Sequence, residues 1–167
     1  MSQSASFYSL NENEFRSLNP NGLYILSISS DYITLDGNHE GLQYILSKVR
    51  PESADIINEI FYPTTFIGND AESDIDFDMD NLPVYYLEPH KIRFLSQILL
   101  TISENEIIEV YNPSELNSQD IYPSVWNRSS DQMTAFSEKH LEEGFRLLKD
   151  FINKAASESS YILIFIG

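Results

Sequence analysis

The stretch YILIFI (161–166) decides the fold, because six consecutive apolar side chains predict a strand that is buried on both faces. At the edge of a sheet such a strand would pair with other chains and aggregate, so we place it in the middle of a sheet. The preceding segment, about 131–157, carries apolar side chains at helical spacing. It predicts the longest helix, with an inward face formed by Phe136, Leu141, Phe145, Leu148, Ile152 and Ala155.

The rest of the chain predicts further strands and helices in an irregular order. Helices are expected from Asp36, as the N-cap, to about Val49, and after Asn11 and Ser103, whose side chains suit N-caps. Pro89 suits the first turn of another helix. Strands are expected at 5–9, 23–29, 64–68 and 83–87. Because no regular βαβ order is present, we predict an α+β fold. It is a single compact domain over 1–167, with a mixed sheet, several helices and a buried C-terminal strand.

The composition is that of a folded protein without cysteine chemistry. Of the 167 residues, 42% are hydrophobic and 13% aromatic, and there is no cysteine. Disulfides, thiolate zinc sites and cysteine nucleophiles are therefore excluded. The first residues have neither the basic region nor the apolar core of a signal peptide, and no apolar run is long enough to span a membrane. We expect a cytoplasmic protein.

The charge of the chain is strongly negative and unevenly distributed. The formal net charge is −16. Residues 51–90 contain ten acidic side chains and 94–127 contain five, and neither window has a Lys or Arg. Nucleic acid and anionic membranes would be repelled, whereas a basic protein would be attracted. A surface that serves solubility alone more often mixes the two signs.

The most acidic stretch is ESDIDFDMDN (72–81), with an Asp at every second position: Asp74, Asp76, Asp78 and Asp80. As an EF-hand loop it fails, because Met79 stands where the loop needs Gly and Tyr85 where it needs Glu. An extended chain would place the four Asp on one face and Phe77 with its apolar neighbours on the other. The stretch is open to three interpretations: a solvated loop, a looser calcium site, or a docking surface for a basic partner.

The order of several segments resembles the YfbM-like family, small bacterial proteins grouped as a domain of unknown function. The segments are LDGNHEGLQYILSK (35–48), FIG (66–68), LPVYYLEPHKIRFLSQIL (82–99) and IYPSVW (121–126), the last followed by a long helix and YILIFIG. The resemblance implies a compact α+β domain and no particular activity. Relatives often carry Asp-Lys-x-Trp at the start of the first of these helices and a His further along. Here Asp36 is retained, but Gly37, His39 and Gln43 replace the Lys, the Trp and the His.

A second candidate site is polar and lies at the start of that helix, where Asp36, His39, Glu40 and Gln43 could share one face. The zinc motif HExxH is not satisfied, because Gln43 stands at the position of the second His. A capping and surface role is therefore favoured over a metal site. Further along, IYPSVW predicts either a packed corner around Trp126 or an aromatic contact surface.

These observations favour a non-enzymatic acidic protein that binds a basic protein partner, with no cofactor, metal, nucleic acid or membrane. Its most concrete form is an immunity-type inhibitor of a basic bacterial toxin domain. The predicted contact residues are Asp74, Asp76, Phe77, Asp78, Asp80 and Trp126. The alternative is a small enzyme or ligand-binding domain that uses Asp36, His39 and Glu40.

Overall fold

The apolar segment at 161–166 forms the central strand of a five-stranded sheet in the computed structural model, which describes residues 3–18, 31–68, 83–129 and 135–167. The strands are β1 (Ser4–Leu10), β2 (Tyr32–Asp36), β3 (Phe66–Ile67), β4 (Val84–Leu87) and β5 (Tyr161–Ile166). Their order in the sheet is β2-β1-β5-β4-β3. Strand β5 pairs with β1 on one side and with β4 on the other. The prediction of a buried central strand is confirmed.

The α+β class is also confirmed, with two differences in the sheet. We predicted a mixed sheet, but all four described pairings are antiparallel. Strand β2 was not predicted, although Ile33 and Leu35 alternate with polar or exposed side chains, as in a half-buried strand. The strand predicted at 23–29 lies outside the described residues.

The register of the strands defines one face that packs against the helices. Phe7 is opposite Ile33 on one side and Ile164 on the other, so the three side chains project from the same face. The Phe7 ring meets the Phe61 ring edge-on at a centroid distance of 6.1 Å. On the opposite face, the ring of Phe15 stacks on that of Tyr161 at 3.9 Å.

Seven α-helices accompany the sheet in the described parts of the chain. They are α1 (Glu12–Arg16), α2 (His39–Val49), α3 (Ala54–Phe61), α4 (Pro89–Leu100), α5 (Glu104–Val110), α6 (Pro113–Ser118) and α7 (Glu138–Ser157). Helix α7 packs against α2, α4, α5 and β2. Its predicted inward residues from Leu141 to Ala155 are buried. Phe136 lies before the helix, in the left-handed region with φ of 53°. None of these described helices is long and apolar enough to cross a membrane.

Local capping explains several helix starts. Asn11 and Ser103 are N-caps, as predicted, and both form capping boxes: each side chain accepts a hydrogen bond from the backbone N–H three residues later, and each backbone N–H donates to the Glu side chain at that position. Asp36 is not a cap: it is the last residue of β2, and the N-cap of α2 is Asn38. Gly37 connects them with φ of 71°, a conformation that glycine adopts without strain.

Candidate functional site

The polar residues predicted at the start of α2 do not share one face. His39 is three residues before Leu42 and seven before Leu46, so helical spacing places it on the apolar stripe. Its side chain is 0% exposed. Glu40 belongs instead to a polar stripe with Gln43 and is half-buried. Asp36 is exposed at the end of β2. The predicted surface role of His39 is therefore wrong, because the apolar stripe of α2 begins at His39 itself.

His39 is a buried imidazole without a hydrogen-bond partner in the described parts of the chain. Neither Nδ1 nor Nε2 forms such a bond. Burial lowers the pKa of His39, and the nearby charge of Glu40 opposes this shift only in part. The ring is therefore neutral at neutral pH, because a buried imidazolium would need partners that it lacks. In the described ranges no group of three or more His, Asp and Glu side chains could hold a metal ion.

The adjacent residue Asn38 fastens α2 to α7. Its Nδ2 donates to the backbone oxygen of His140 at 3.2 Å. Gly144 leaves room for this amide, since a Cβ at that position would lie 2.7 Å from Nδ2. His140 in turn accepts a hydrogen bond at Nδ1 from the backbone N–H of Phe136, at 3.0 Å. Burial lowers the pKa of His140, whereas Glu143 and Asp36 raise it to a smaller extent.

Trp126 is part of the core and not a surface anchor. It is 4% exposed, and its Nε1 donates to the backbone oxygen of Ile121 at 2.9 Å. Its ring meets those of Tyr111 and Phe136 edge-on. Gly41 of α2 lies against it so closely that a Cβ there would be well under 3.0 Å from two indole carbons. The packed-corner interpretation is confirmed, and the prediction that Trp126 contacts a partner is corrected.

The other predicted contact residues, Asp74, Asp76, Phe77, Asp78 and Asp80, lie outside the described residues. The structure describes the chain up to residue 68 and again from residue 83. Residues 69–82 connect β3 to β4, which are antiparallel neighbours at one edge of the sheet.

Glu40 lines a polar cleft that the sequence did not reveal. The cleft has a volume of about 410 Å³ and is lined by Glu40, Gln43, Ser47, Asn58, Tyr62 and Ile121, with Tyr44 beside them. Glu40 Oε2 accepts a hydrogen bond from the backbone N–H of Tyr122 at 3.1 Å. Gln43 Nε2 donates to Asn58 Oδ1 at 3.0 Å. The cleft therefore presents one carboxylate among amide and hydroxyl groups.

A second cleft, of about 350 Å³, is mainly apolar and lies between the end of α3 and the sheet. It is lined by Phe61, Tyr62, Pro63, Tyr85, Ile164 and Ile166. Tyr62, Tyr85 and Ile166 are 50%, 40% and 37% exposed, which is unusual for large apolar side chains that converge on one place. Tyr62 lines both clefts. Desolvation, and then the charge of Glu40, raise the pKa of its hydroxyl.

Ion pairs neutralise much of the positive charge of the molecule. Lys48 Nζ lies 2.7 Å from both carboxylate oxygens of Glu115, which also accepts a hydrogen bond from the Tyr44 hydroxyl. Arg50 pairs with Glu106 at 2.9 Å, and its guanidinium is the main reason that the pKa of Glu106 falls to about 2. The remaining described Lys and Arg pairs with carboxylates are Arg16–Glu12, Lys91–Glu59 and Lys154–Asp31.

Comparison with known proteins identifies the family and no activity. Residues 1–165 match the family model described as a domain of unknown function (DUF1877). Among solved structures, the chain is similar to YfbM from Escherichia coli, a protein of unknown function. The identity is 13%, the TM-score is 0.65, and the match covers 100% of both chains. No curated protein matches. The chain belongs to the DUF1877 family of YfbM-like proteins.

Proposed function

We propose that this protein is a non-enzymatic acidic binding protein that presents its carboxylates to a basic protein partner. Its most concrete form is an immunity-type inhibitor that neutralises a basic bacterial toxin domain. The observation that carries the proposal is the segregation of charge, with 15 acidic side chains in two windows that contain no Lys or Arg. An acidic field of this kind accelerates encounters with a basic surface.

The ion pairs of the described residues support this proposal. At least five of the ten Lys and Arg side chains bind a carboxylate of the same molecule. The carboxylates in excess therefore have few internal cations to neutralise them. Lys and Arg side chains of a partner would supply that charge, and a toxin whose Lys and Arg are bound in this way could not use them to contact nucleic acid phosphates.

The experiment begins with capture of partners from a lysate of the native cell at low and high salt. The purified partner is then tested for its association rate over a range of salt concentrations. One variant carries Asp74→Asn, Asp76→Asn, Asp78→Asn and Asp80→Asn. The matched control removes four charges from described helices by Glu104→Gln, Glu109→Gln, Glu142→Gln and Asp150→Asn.

The proposal predicts a basic partner and an association rate that falls with salt. At low salt the Asp74 to Asp80 variant should associate about tenfold more slowly and with a flatter salt dependence, because steering accounts for factors of this size. The control variant should change the rate less. If the two variants slow association equally, the acidic stretch at 72–81 has no special role in binding. A partner that binds equally well at all salt concentrations would overturn the proposal.

The alternative, a small enzyme or ligand-binding domain built on Asp36, His39 and Glu40, has less support. Of the three side chains, only Glu40 lines the polar cleft. His39 lies in the core and Asp36 at the end of β2. These three side chains therefore do not surround one common ligand site.

A further inference from the structure

We propose that the two clefts that meet at Tyr62 form one groove, which binds an extended segment of a basic protein with the pattern Arg-x-Leu. The Arg side chain occupies the polar cleft at Glu40, and the Leu side chain, or another large apolar one, occupies the apolar cleft. This inference rests on the proposed function and names the residues that would recognise the partner. We call the two clefts together the Tyr62 groove.

The described lining of the Tyr62 groove is negatively charged. Of the described residues that line either cleft, Glu40 alone carries a formal charge at neutral pH. One of its oxygens is bound by the backbone of Tyr122, which holds the carboxylate in place. Lys48, whose Nζ lies 5.6 Å from the centre of the Tyr44 ring, is bound to both oxygens of Glu115 and does not neutralise Glu40. The ligand complementary to this cleft is a cation.

The cation that suits this cleft best is the guanidinium group of Arg. An aromatic wall beside a carboxylate suits Arg better than Lys, because a guanidinium can stack on a ring while its N–H groups bind the carboxylate. Tyr62 supplies the wall, since it lines the same cleft as Glu40. The amides of Gln43 and Asn58 face the same cleft and offer further hydrogen bonds.

The apolar cleft suits a large apolar side chain of the same segment. Tyr62, Tyr85 and Ile166 remain between one third and one half exposed around the apolar cleft, so an apolar side chain placed there would remove all three from water. In an extended segment, side chains two residues apart leave the same side of the chain about 7 Å apart. One side chain can thereby enter each cleft, whereas adjacent side chains leave opposite sides of the chain, which favours Arg-x-Leu over Arg-Leu.

The test uses blocked tripeptides and the full chain, labelled with nitrogen-15 for NMR. Acetyl-Arg-Ser-Leu-amide is the probe. Acetyl-Glu-Ser-Leu-amide reverses its charge, and acetyl-Arg-Ser-Gly-amide removes its anchor. The probe should shift the amide signals around Glu40, Tyr62, Tyr85 and Ile166, and should bind about tenfold more tightly than either other peptide, as expected for the loss of one charge-assisted hydrogen bond or one buried side chain.

Two variants separate the halves of the groove. Glu40→Gln keeps an acceptor for the Tyr122 backbone and should weaken the Arg-Ser-Leu probe about tenfold, but should not weaken the Glu peptide, from which it removes a repelling charge. Ile166→Thr keeps a β-branched side chain and should weaken the Leu probe without affecting the Gly peptide. Glu104→Gln, in α5, is the matched control and should change nothing. Thermal melts of each variant verify that it is folded.

Equal binding of the Arg and Glu peptides, or signal changes away from the Tyr62 groove, would overturn the inference. Failure of the groove is distinguishable from failure of the proposed function. If a basic partner still binds with strong salt dependence to Glu40→Gln and Ile166→Thr, the groove is wrong and the acidic binding function stands. If the peptides bind as expected but no basic partner binds the full chain, the groove stands without the proposed function.

Discussion

Gly41→Ala is the substitution that most directly tests how α2 packs against Trp126. A Cβ at residue 41 would lie well under 3.0 Å from Cζ2 and Cη2 of the indole. The indole cannot easily move away, because Nε1 donates a hydrogen bond to the backbone oxygen of Ile121. The backbone N–H of Trp126 also donates to Asn117 Oδ1 at 2.8 Å. Helix α2 would have to shift instead.

The magnitude follows from two opposing effects. Overpacking of a tightly filled core costs about 1–3 kcal/mol, and the contact here is at the severe end of that range. Replacing Gly by Ala inside a helix returns up to about 1 kcal/mol. We therefore expect a net loss of about 2 kcal/mol in the free energy of unfolding, which for a chain of this length lowers Tm by about 4–8 °C.

Urea unfolding followed by circular dichroism measures this loss, since the signal does not depend on the tryptophan. Ser47→Ala, in the same helix, is the matched control and should leave stability unchanged or slightly higher. In a Trp126→Phe background, Gly41→Ala should be neutral or stabilising, because the two indole carbons are absent. A coupling energy near zero between the two substitutions would refute the packing of α2 against Trp126.

Two further predictions concern pH. Burial lowers the pKa of His39 and of His140 in the folded state, so the unfolded chain binds more protons below the ordinary histidine pKa of 6.5. The stability present above that pH should therefore fall as pH decreases towards 5, seen as a lower urea midpoint, and His140→Asn should reduce this slope; an unchanged slope in the variant would rule out His140 as a cause. The pKa of Glu106 is lowered to about 2, chiefly by Arg50. Its contribution to stability should be complete above pH 4.5 and be lost as pH falls towards 2, and acid titration of Glu106→Gln should show a shallower decline in that range.

The parts of the fold that could be predicted have short-range signals. The capping box at Ser103 marks the start of α5, and the unbroken apolar run at 161–166 marks β5, because each depends on neighbouring residues alone. The sequence-based prediction misses β2 because Asp36 resembles a helix cap, whereas its place in the sheet depends on pairing with the distant strand β1, from Ser4 opposite Asp36 to Tyr8 opposite Tyr32. Local sequence cannot distinguish these two roles of an Asp.

The candidate site was less predictable because it depends on distant segments. The helical period of α2 already separates His39 from Glu40, so burial of the imidazole could have been inferred from Leu42 and Leu46. The Tyr62 groove could not, since it joins the end of α3 to strands β4 and β5 far along the chain. The close contact of Trp126 with Gly41 likewise joins the segment after α6 to α2, which is far away along the chain.

The pairing of β1 with β5 has a consequence for biosynthesis. The backbone of Ser4 bonds in both directions to that of Gly167, a residue 163 positions later. During translation, the backbone edge of β1 that pairs with β5 therefore has no partner until β5 has left the ribosome. Such non-local pairing closes slowly and leaves a nascent chain exposed to misassociation. The five-stranded sheet can therefore form only after β5 has been synthesised, long after β1.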